Sequence, residues 1–258
     1  MLLVIDAGNS EITFGLWDRD ALTTVWRCAS RQFITADQLF AFLFPLLLKA
    51  GLAESIRQVA IASVVPQLTP SLEQLAQNHL HVRAQIIGRG SLPFPISVDF
   101  PSQVGADRLA NAYYALKKLN LPCAIIDCGS ATTIDIVSEQ LGYQGGMILP
   151  GLRLAVEALA HNTALLDSVP LEFPPHAIGR NTQRCIQSGI LFGSVDLLAG
   201  LLKRAEQEIG SFQSVSVTGG NGGLLSPHFS FKHTYIRYLT LEGIALLSQA
   251  LTQEPETL

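Results

Sequence analysis

Leu3-Val-Ile-Asp-Ala-Gly-Asn-Ser10 and Ile125-Ile-Asp-Cys-Gly-Ser130 share one pattern, although they lie far apart along the chain. Each has two apolar residues, an aspartate, one further residue and a glycine, and each is followed by residues typical of a β-strand. Asp6 and Asp127 are separated by about half of the 258-residue chain. A repeat at this spacing indicates a duplicated α/β unit.

Alternating and continuous apolar patterns predict further elements around these stretches. Strands are predicted at 2–6, 12–17, 58–63, 84–87, 123–127, 132–137 and 214–218. Helices are predicted at 69–80, 107–119, 152–162, 181–209 and 239–251, with one more starting at the cap-like Thr35. Glycine pairs at 145–146 and 219–220 predict turns. The predicted fold class is therefore α/β, with similar halves at 1–118 and 119–258.

The composition excludes several classes of protein. Apolar residues make up 48% and charged residues 15%, so the chain is too apolar for general disorder. The net charge is −4 and no stretch gathers five basic residues, which argues against nucleic acid or a membrane surface as a partner. The longest apolar run, 39–48, is much shorter than the ~20 residues that cross a bilayer. An N-terminus without signal-peptide character and four cysteines without metal-binding spacing predict a cytoplasmic protein with free thiols.

The two Asp-x-Gly turns have a chemical use in phosphate binding. Glycine lets the backbone approach a ligand closely, and turn N–H groups and the hydroxyls of Ser10 and Ser130 suit phosphate oxygens. An aspartate at the strand end can orient a metal ion or a water molecule beside them. Ordinary β-hairpins remain the alternative for either turn alone, whereas the two turns together favour a polyphosphate clamp. The chain contains neither a P-loop nor a dinucleotide-binding GxGxxG motif.

Val104-Gly-Ala-Asp-Arg108 opens a predicted helix, and its aspartate has two interpretations. Asp107 can be the N-cap of that helix, which is the usual role of an aspartate at such a position. Alternatively, the carboxylate accepts a proton from a substrate hydroxyl while the adjacent Arg108 guanidinium binds an anion. Both interpretations remain open at this point. The six histidines show no ligand spacing, and no cysteine has an identifiable base partner.

Taken in order along the chain, seven motifs resemble those of the type III pantothenate kinases. They are Asp6–Thr13, Ser63–Pro66, Gly105–Arg108, Asp127–Asp135, Gly145–Gly151, Ile178–Thr182 and Thr218–Gly220. The resemblance extends from residue 2 to about residue 247 and implies two ribonuclease H-like (actin-like ATPase) domains around a central cleft. It implies ATP-dependent phosphorylation of pantothenate, the first step of coenzyme A biosynthesis. It also implies a homodimer with shared substrate sites, a monovalent cation (potassium or ammonium) and magnesium.

The resemblance further implies roles for individual residues. Asp107 matches the catalytic proton acceptor, and Asp127 matches the ligand of the monovalent cation. The implied substrate contacts are Gly105, Ala106, Asp107, Arg108 and Thr182. Arg108 suits either the pantothenate carboxylate or the charge that develops on the transferred phosphoryl group. The implied ATP contacts are Asp6, Ala7, Gly8, Asn9, Ser10, Glu11, Ile12, Thr13 and Ser130. Ser10 and Ser130 stand where the family usually has threonine and keep the hydroxyl, and Val98, with Phe100 nearby, stands near a family tyrosine.

Two other functions are compatible with the same motifs. One is a non-enzymatic regulatory or accessory relative that keeps the fold. The other is a kinase of the same fold that acts on another small hydroxylated substrate. An enzyme is favoured over the accessory relative by the retention of Asp6, Asp107, Arg108, Asp127 and Thr182. A panel of acceptor substrates would separate the two kinases.

Overall fold

The computed structural model describes residues 1–31, 33–88, 90–162 and 168–253 and confirms the α/β class. Its strands are β1 (Leu2–Ala7), β2 (Glu11–Asp18), β3 (Ala21–Ala29), β4 (Gln58–Ser63), β5 (Ala84–Ile86), β6 (Cys123–Cys128), β7 (Ala131–Ser138), β8 (Gly142–Pro150), β9 (Ser214–Thr218) and β10 (Thr234–Tyr235). Its helices are α1 (Ala36–Lys49), α2 (Thr69–Gln74), α3 (Ala106–Lys118), α4 (Leu152–Asn162), α5 (Thr182–Ile209), α6 (Gly222–Leu225) and α7 (Leu239–Gln253). One π-helical turn, Leu75–His79, follows α2 directly.

The chain divides into two compact units. Unit 1 contains residues 1–118, the short segment 141–143 and the chain from Tyr238 onward, and unit 2 contains 119–140 and 144–237. The predicted second half extended to residue 258, but α7 belongs to unit 1. The reason is apolar packing, since α7 buries Leu241, Ile244 and Leu247 in the same cluster as residues of β1 and α3. Residues 163–167 and 254–258 of that predicted half lie outside the described residues.

Within the described ranges, each unit has one five-stranded sheet, and the two sheets have equivalent strand orders. Unit 1 has the order β3-β2-β1-β4-β5 and unit 2 the order β8-β7-β6-β9-β10. The first strand of each unit is antiparallel to its hairpin partner and parallel to the fourth strand. Buried and exposed positions follow the same pattern in β1 and β6, and again in β2 and β7. These correspondences confirm the duplicated α/β unit.

The sheet of unit 1 is covered by helices on both faces. Leu3 and Ile5 of β1 pack in a cluster with α1 and α2, while Leu2 and Val4 pack in a second cluster with α3 and α7. Alternate side chains of a strand point to opposite faces, so a strand covered on both sides is apolar throughout. That is why the sequence up to Asp6 is a continuous apolar run.

Helix α5 is central to the core of unit 2. Among the described residues, α5 is the helix whose length and apolar composition would allow it to cross a membrane. The core helices of other proteins also meet these two criteria. Leu191, Val195, Leu198 and Leu202 follow one another at intervals of three and four residues and belong to the apolar cluster of this unit. This spacing is that of a helix face turned toward a core.

Three strands, β3, β8 and β10, were missed from the sequence, and one predicted turn was wrong. Gly145 and Gly146, expected to form a turn, lie inside β8. A β-carbon at Gly146 would overlap the carbonyl oxygen of Ile134 in β7. The glycine therefore allows two strands to approach closely, which is the other common use of glycine within a strand.

Candidate active site

The first predicted phosphate-binding turn connects β1 and β2 in unit 1. Asp6 pairs in register with Thr13, and the Gly8 N–H donates to the Glu11 carbonyl oxygen at 3.0 Å, which closes a tight turn. The tip of the turn is exposed and consists of Asn9, Ser10 and Glu11. Its flanking residues are half-buried (Asp6, Gly8 and Thr13) or buried (Ala7 and Ile12). The structure thus presents the polar residues of the turn to solvent at the carboxyl end of β1, where ligands of open α/β sheets usually bind.

Glu11 has an ionic partner that sequence reasoning missed. Its Oε1 lies 3.1 Å from Nε of Arg27, which stands opposite Thr13 on the neighbouring strand β3. The Thr13 hydroxyl also lies 3.5 Å from the same oxygen. The positive charge of Arg27 offsets a carboxylate that would otherwise repel a phosphate bound at this turn.

The turn after β4 lies beside the first phosphate turn. Ser63 is the register partner of Ala7, and the Val64 N–H donates to the Ala7 carbonyl at 3.1 Å. The Ser63 hydroxyl donates to the Val65 carbonyl at 3.2 Å and closes a small side-chain turn. A β-carbon at Gly105 would lie 3.4 Å from Cγ1 of Val64. Val64 therefore lies beside both the first predicted phosphate-binding turn and the predicted catalytic motif.

Gly105–Arg108 begins α3, and the geometry decides between the two interpretations of Asp107. The Leu109 N–H donates to the Gly105 carbonyl at 3.1 Å, so Gly105 precedes the helix and Asp107 lies within its first turn. The N-cap interpretation is wrong. Oδ1 of Asp107 instead accepts a hydrogen bond from the Arg108 N–H at 2.8 Å. A β-carbon at residue 105 would lie 2.5 Å from that oxygen, so a side chain at this position would displace the Asp107 carboxylate.

The environment of Asp107 changes its acid–base behaviour. Burial raises the pKa of the Asp107 carboxyl above its ordinary value, and the hydrogen bond and positive charge of Arg108 offset only part of that increase. Removing a carboxylate from water makes it a stronger base. The arrangement therefore suits proton acceptance from a hydroxyl group.

Unit 1 contains an apolar pocket beside the first turns of α3. Its volume is about 380 Å³, and its lining residues are Gly88, Gly90, Leu92, Phe94, Ile96, Pro101, Ser102, Val104 and Leu109. Val98 and Phe100, expected near the substrate, are not among them, and Phe100 is 65% exposed. The size and the apolar lining suit part of a small organic molecule.

The second predicted phosphate turn connects β6 and β7 in unit 2. Asp127 pairs in register with Thr133, as Asp6 does with Thr13, and Ser130 is exposed in the turn. The glycine-rich turn after β9 is tied to this one, because the Asn221 N–H donates to the Cys128 carbonyl at 3.0 Å. A β-carbon at Gly151 would lie 2.6 Å from the Gly129 carbonyl oxygen. The predicted glycine motifs thus lie beside Asp127 and Ser130.

The donor atoms around Asp127 indicate which ions fit. A carboxylate and neighbouring backbone carbonyls are hard oxygen ligands, which suit potassium and magnesium better than zinc or copper. In the described part of the chain, no group of three or more His, Cys, Asp or Glu side chains could hold a metal ion. A carboxylate beside backbone carbonyl oxygens is a donor set that fits such a hard cation.

Thr182 lies at the N-terminus of α5. Asn181 is the N-cap, and its side-chain oxygen accepts from the Arg184 N–H at 2.9 Å. The Cys185 thiol contacts the Gly179 carbonyl at 3.3 Å, which holds the preceding loop against the helix. Thr182 is exposed, at a helix end that favours anions. Asp127, Ser130 and Thr182 thus belong to unit 2, while the other predicted site residues belong to unit 1.

Comparisons with known proteins identify the family of this chain. A family model described as type III pantothenate kinase matches residues 2–204. The type III pantothenate kinase of Geotalea uraniireducens is 38% identical over 251 residues, covering 96% of this chain and 98% of that protein. The protein of the same name from Moorella thermoacetica is 37% identical, covering 98% of this chain and 100% of its own length.

Solved structures support the fold. A Baf family transcriptional activator from Campylobacter jejuni superposes with a TM-score of 0.62 at 21% identity, covering 98% of this chain and 100% of that one. A 2-dehydro-3-deoxygalactonokinase from Sinorhizobium meliloti gives 0.57 at 13% identity, with coverage of 100% and 99%. At these identities, the two structures are evidence for the fold alone. Full-length similarity to the curated relatives is decisive, and the chain belongs to the type III pantothenate kinase family.

Proposed function

We infer that this chain phosphorylates pantothenate with ATP, as its family does, and we propose how its own residues carry out that reaction. The observation that carries the assignment of roles is the geometry of Asp107, a half-buried carboxylate with a raised pKa at the start of α3. It is followed by an arginine and lies on the same helix as Leu109, which lines the apolar pocket.

Asp107 is the proposed proton acceptor. The hydroxyl group of pantothenate attacks the γ-phosphorus of ATP, the bond from that phosphorus to the bridging oxygen of ADP breaks, and the hydroxyl proton passes to the carboxylate. Because the transition state of phosphoryl transfer is loose, the carboxylate contributes mainly by orienting the hydroxyl oxygen in line with the bond that breaks. Gly105 and Ala106 bring the backbone close to the acceptor, and Arg108 binds the pantothenate carboxylate.

The two Asp-x-Gly turns are the proposed contacts for ATP. Residues Asp6–Thr13 offer N–H groups and hydroxyls to phosphate oxygens, and Ser130 does the same in unit 2. Asp127 is the proposed ligand of a monovalent cation, which offsets phosphate charge, and magnesium accompanies ATP. Thr182, at the exposed N-terminus of α5, is a further proposed contact for pantothenate.

We also propose that the enzyme is a cytoplasmic homodimer without a nucleic-acid partner. Unit 2 carries several large apolar side chains that are exposed in the single chain, namely Ile148, Leu154, Leu159, Ile178 and Leu197. Burial of such side chains between two copies would stabilise a dimer. Sedimentation equilibrium of wild type and of Leu197→Glu tests this, since a dimer held by this surface should dissociate in the variant.

The decisive experiment is release of ADP by the purified protein with ATP, magnesium and pantothenate, with potassium present or omitted. Turnover that requires pantothenate and increases with potassium supports the proposal. Turnover with another hydroxylated acceptor, but not with pantothenate, supports a kinase of a different substrate. Tight ATP binding without turnover on any acceptor supports a non-enzymatic relative.

A further inference from the structure

The segment Leu141–Tyr143 belongs to unit 1, although the residues on both sides of it, Gln140 and Gln144, belong to unit 2. Hydrogen bonds attach this segment to the chain at residues 95–97. The Tyr143 N–H donates to the Pro95 carbonyl at 3.0 Å, and the Ser97 N–H donates to the Tyr143 carbonyl at 2.8 Å. The position of Tyr143 is therefore set by unit 1.

Two further contacts make that position rigid. The Ser97 hydroxyl donates to the Leu141 carbonyl at 2.8 Å. Gly142 has a φ of +63°, and a β-carbon there would overlap the Pro95 carbonyl. Only glycine allows the 141–143 segment to lie this close to residue 95. The Tyr143 ring, which is 1% exposed, is consequently a fixed surface inside unit 1.

Arg108 lies over this fixed ring. Its Cζ atom is 5.6 Å from the ring centroid of Tyr143, within the range of cation–π attraction. Arg108 is half-buried, so water screens this attraction less than at a fully exposed site. A long, flexible side chain loses rotamer freedom when it is held against a ring. Because this entropy is already lost in the free protein, substrate binding does not have to supply it.

We propose that Tyr143 is a positioning residue, which holds the Arg108 guanidinium where it binds the carboxylate of pantothenate. This inference rests on the proposed function and adds a residue to it. The carboxylate of pantothenate is remote from the reacting hydroxyl, so Arg108 binds it equally in the ground state and in the transition state. Tyr143 therefore affects the KM for pantothenate and not kcat.

Three variants test the proposal. Tyr143→Phe keeps the ring and should stay within about twofold of wild type. Tyr143→Leu removes the ring and should raise the KM for pantothenate about three- to thirtyfold, with kcat and the KM for ATP unchanged. Tyr238→Leu is the matched control, because Tyr238 makes the same contact with Arg27 at the same 5.6 Å and should leave the pantothenate KM unaltered.

An analogue of pantothenate that has an alcohol in place of the carboxylate gives a second readout. Its KM should be the same for wild type and Tyr143→Leu. A wild-type pantothenate KM in Tyr143→Leu, a loss of kcat instead, or an equal increase in Tyr238→Leu would each overturn the proposal.

A measurement without substrate separates this inference from the proposed function. The ring of Tyr143 should shift the NMR resonance of the Arg108 Nε–H, and the shift should be lost in Tyr143→Leu and kept in Tyr143→Phe. Absence of that pattern overturns the positioning role even if the wild type phosphorylates pantothenate. Failure of the wild type to phosphorylate pantothenate contradicts the proposed function, and the NMR pattern still tests whether the ring holds Arg108.

Discussion

The backbone of Gly219 lies against the carboxylate of Asp127, so closely that a β-carbon at residue 219 would overlap Oδ1. Gly219 has a φ of +86° and begins the glycine-rich turn after β9. Its carbonyl accepts from the Gly222 N–H at 3.0 Å, which closes that turn. The turn thus holds the proposed cation ligand from one side.

We therefore expect Gly219→Ala to be strongly destabilising. The variant suffers the cost of a positive φ, about 1–2 kcal/mol, and displaces either Asp127 or the turn. Gly210→Ala is the matched control, because Gly210 has a φ of +89° but no atom within 4 Å of its β-carbon position. The free energy of unfolding in urea should fall more for Gly219→Ala, and potassium activation should weaken in that variant alone. Equal losses in the two variants would mean that contact with Asp127 is unimportant.

Asp107→Asn should fold normally and lose about 10²–10⁴-fold in kcat, the usual contribution of a proton acceptor. The amide oxygen of asparagine can still accept the Arg108 N–H bond that Oδ1 makes at 2.8 Å. ADP release at saturating substrates measures kcat, and circular dichroism checks the fold. Turnover within about threefold of wild type would exclude Asp107 as the base.

The raised pKa of Asp107 also predicts how stability depends on pH. Because burial makes the folded protein hold this proton to a higher pH than the unfolded chain does, the free energy of unfolding falls as pH rises between the two pKa values. Asparagine carries no charge to desolvate, so Asp107→Asn should be more stable than wild type at pH 7. The difference should shrink as the pH approaches about 4, the ordinary value for an aspartate. A constant difference across this range would contradict the shift.

Gly243→Ala should destabilise unit 1, because Gly243 of α7 packs directly on the backbone of α3. A β-carbon there would lie 2.7 Å from the carbonyl carbon of Ala110. The helices must then separate, which moves the helix that carries Asp107. Gly200→Ala in α5 makes the same change where no atom lies within 4 Å, and should gain about 0.5–1 kcal/mol from helix propensity. Urea unfolding of the two variants should give opposite signs.

The four thiols should react at very different rates. Cys185 is exposed, whereas burial raises the pKa of Cys123 to about 12, and burial together with Asp127 raises that of Cys128 to about 12. A thiol with such a pKa forms almost no reactive thiolate at pH 8. Ellman's reagent should therefore label Cys185 first, and Cys185→Ser should lack the fast phase. Fast labelling of Cys123 or Cys128 before unfolding would contradict the buried positions.

Much of the fold was predictable because its signals are local. The Asp-x-Gly repeat indicated the duplication, and periodic apolar patterns predicted α4 and α5 to within one residue. The strands β3 and β8 were missed for a physical reason. No residue of β3 is fully buried and only the first two of β8 are, so neither strand has a buried apolar run, and β8 also contains glycines that read as a turn in sequence.

The candidate site likewise contains some residues that the sequence indicated and others that it did not. The sequence indicated Asp107 and Arg108, since an acid beside a base after a glycine is a local pattern. Arg27 and Tyr143 have no local signal, because each meets its partner through pairing or packing of distant chain segments. The raised pKa of Asp107 likewise depends on burial, which residues far along the chain create.

Motifs and apolar periodicity alone determined the α/β class, the duplicated unit and the family resemblance, since these depend on residues close together along the chain. Tertiary structure decided that α7 returns to unit 1, that Asp107 is not a helix cap, and that Gly146 and Gly219 mark close backbone approaches. Each of these depends on which surfaces are buried together. Burial is a property of the packed chain, and no short stretch of sequence contains it.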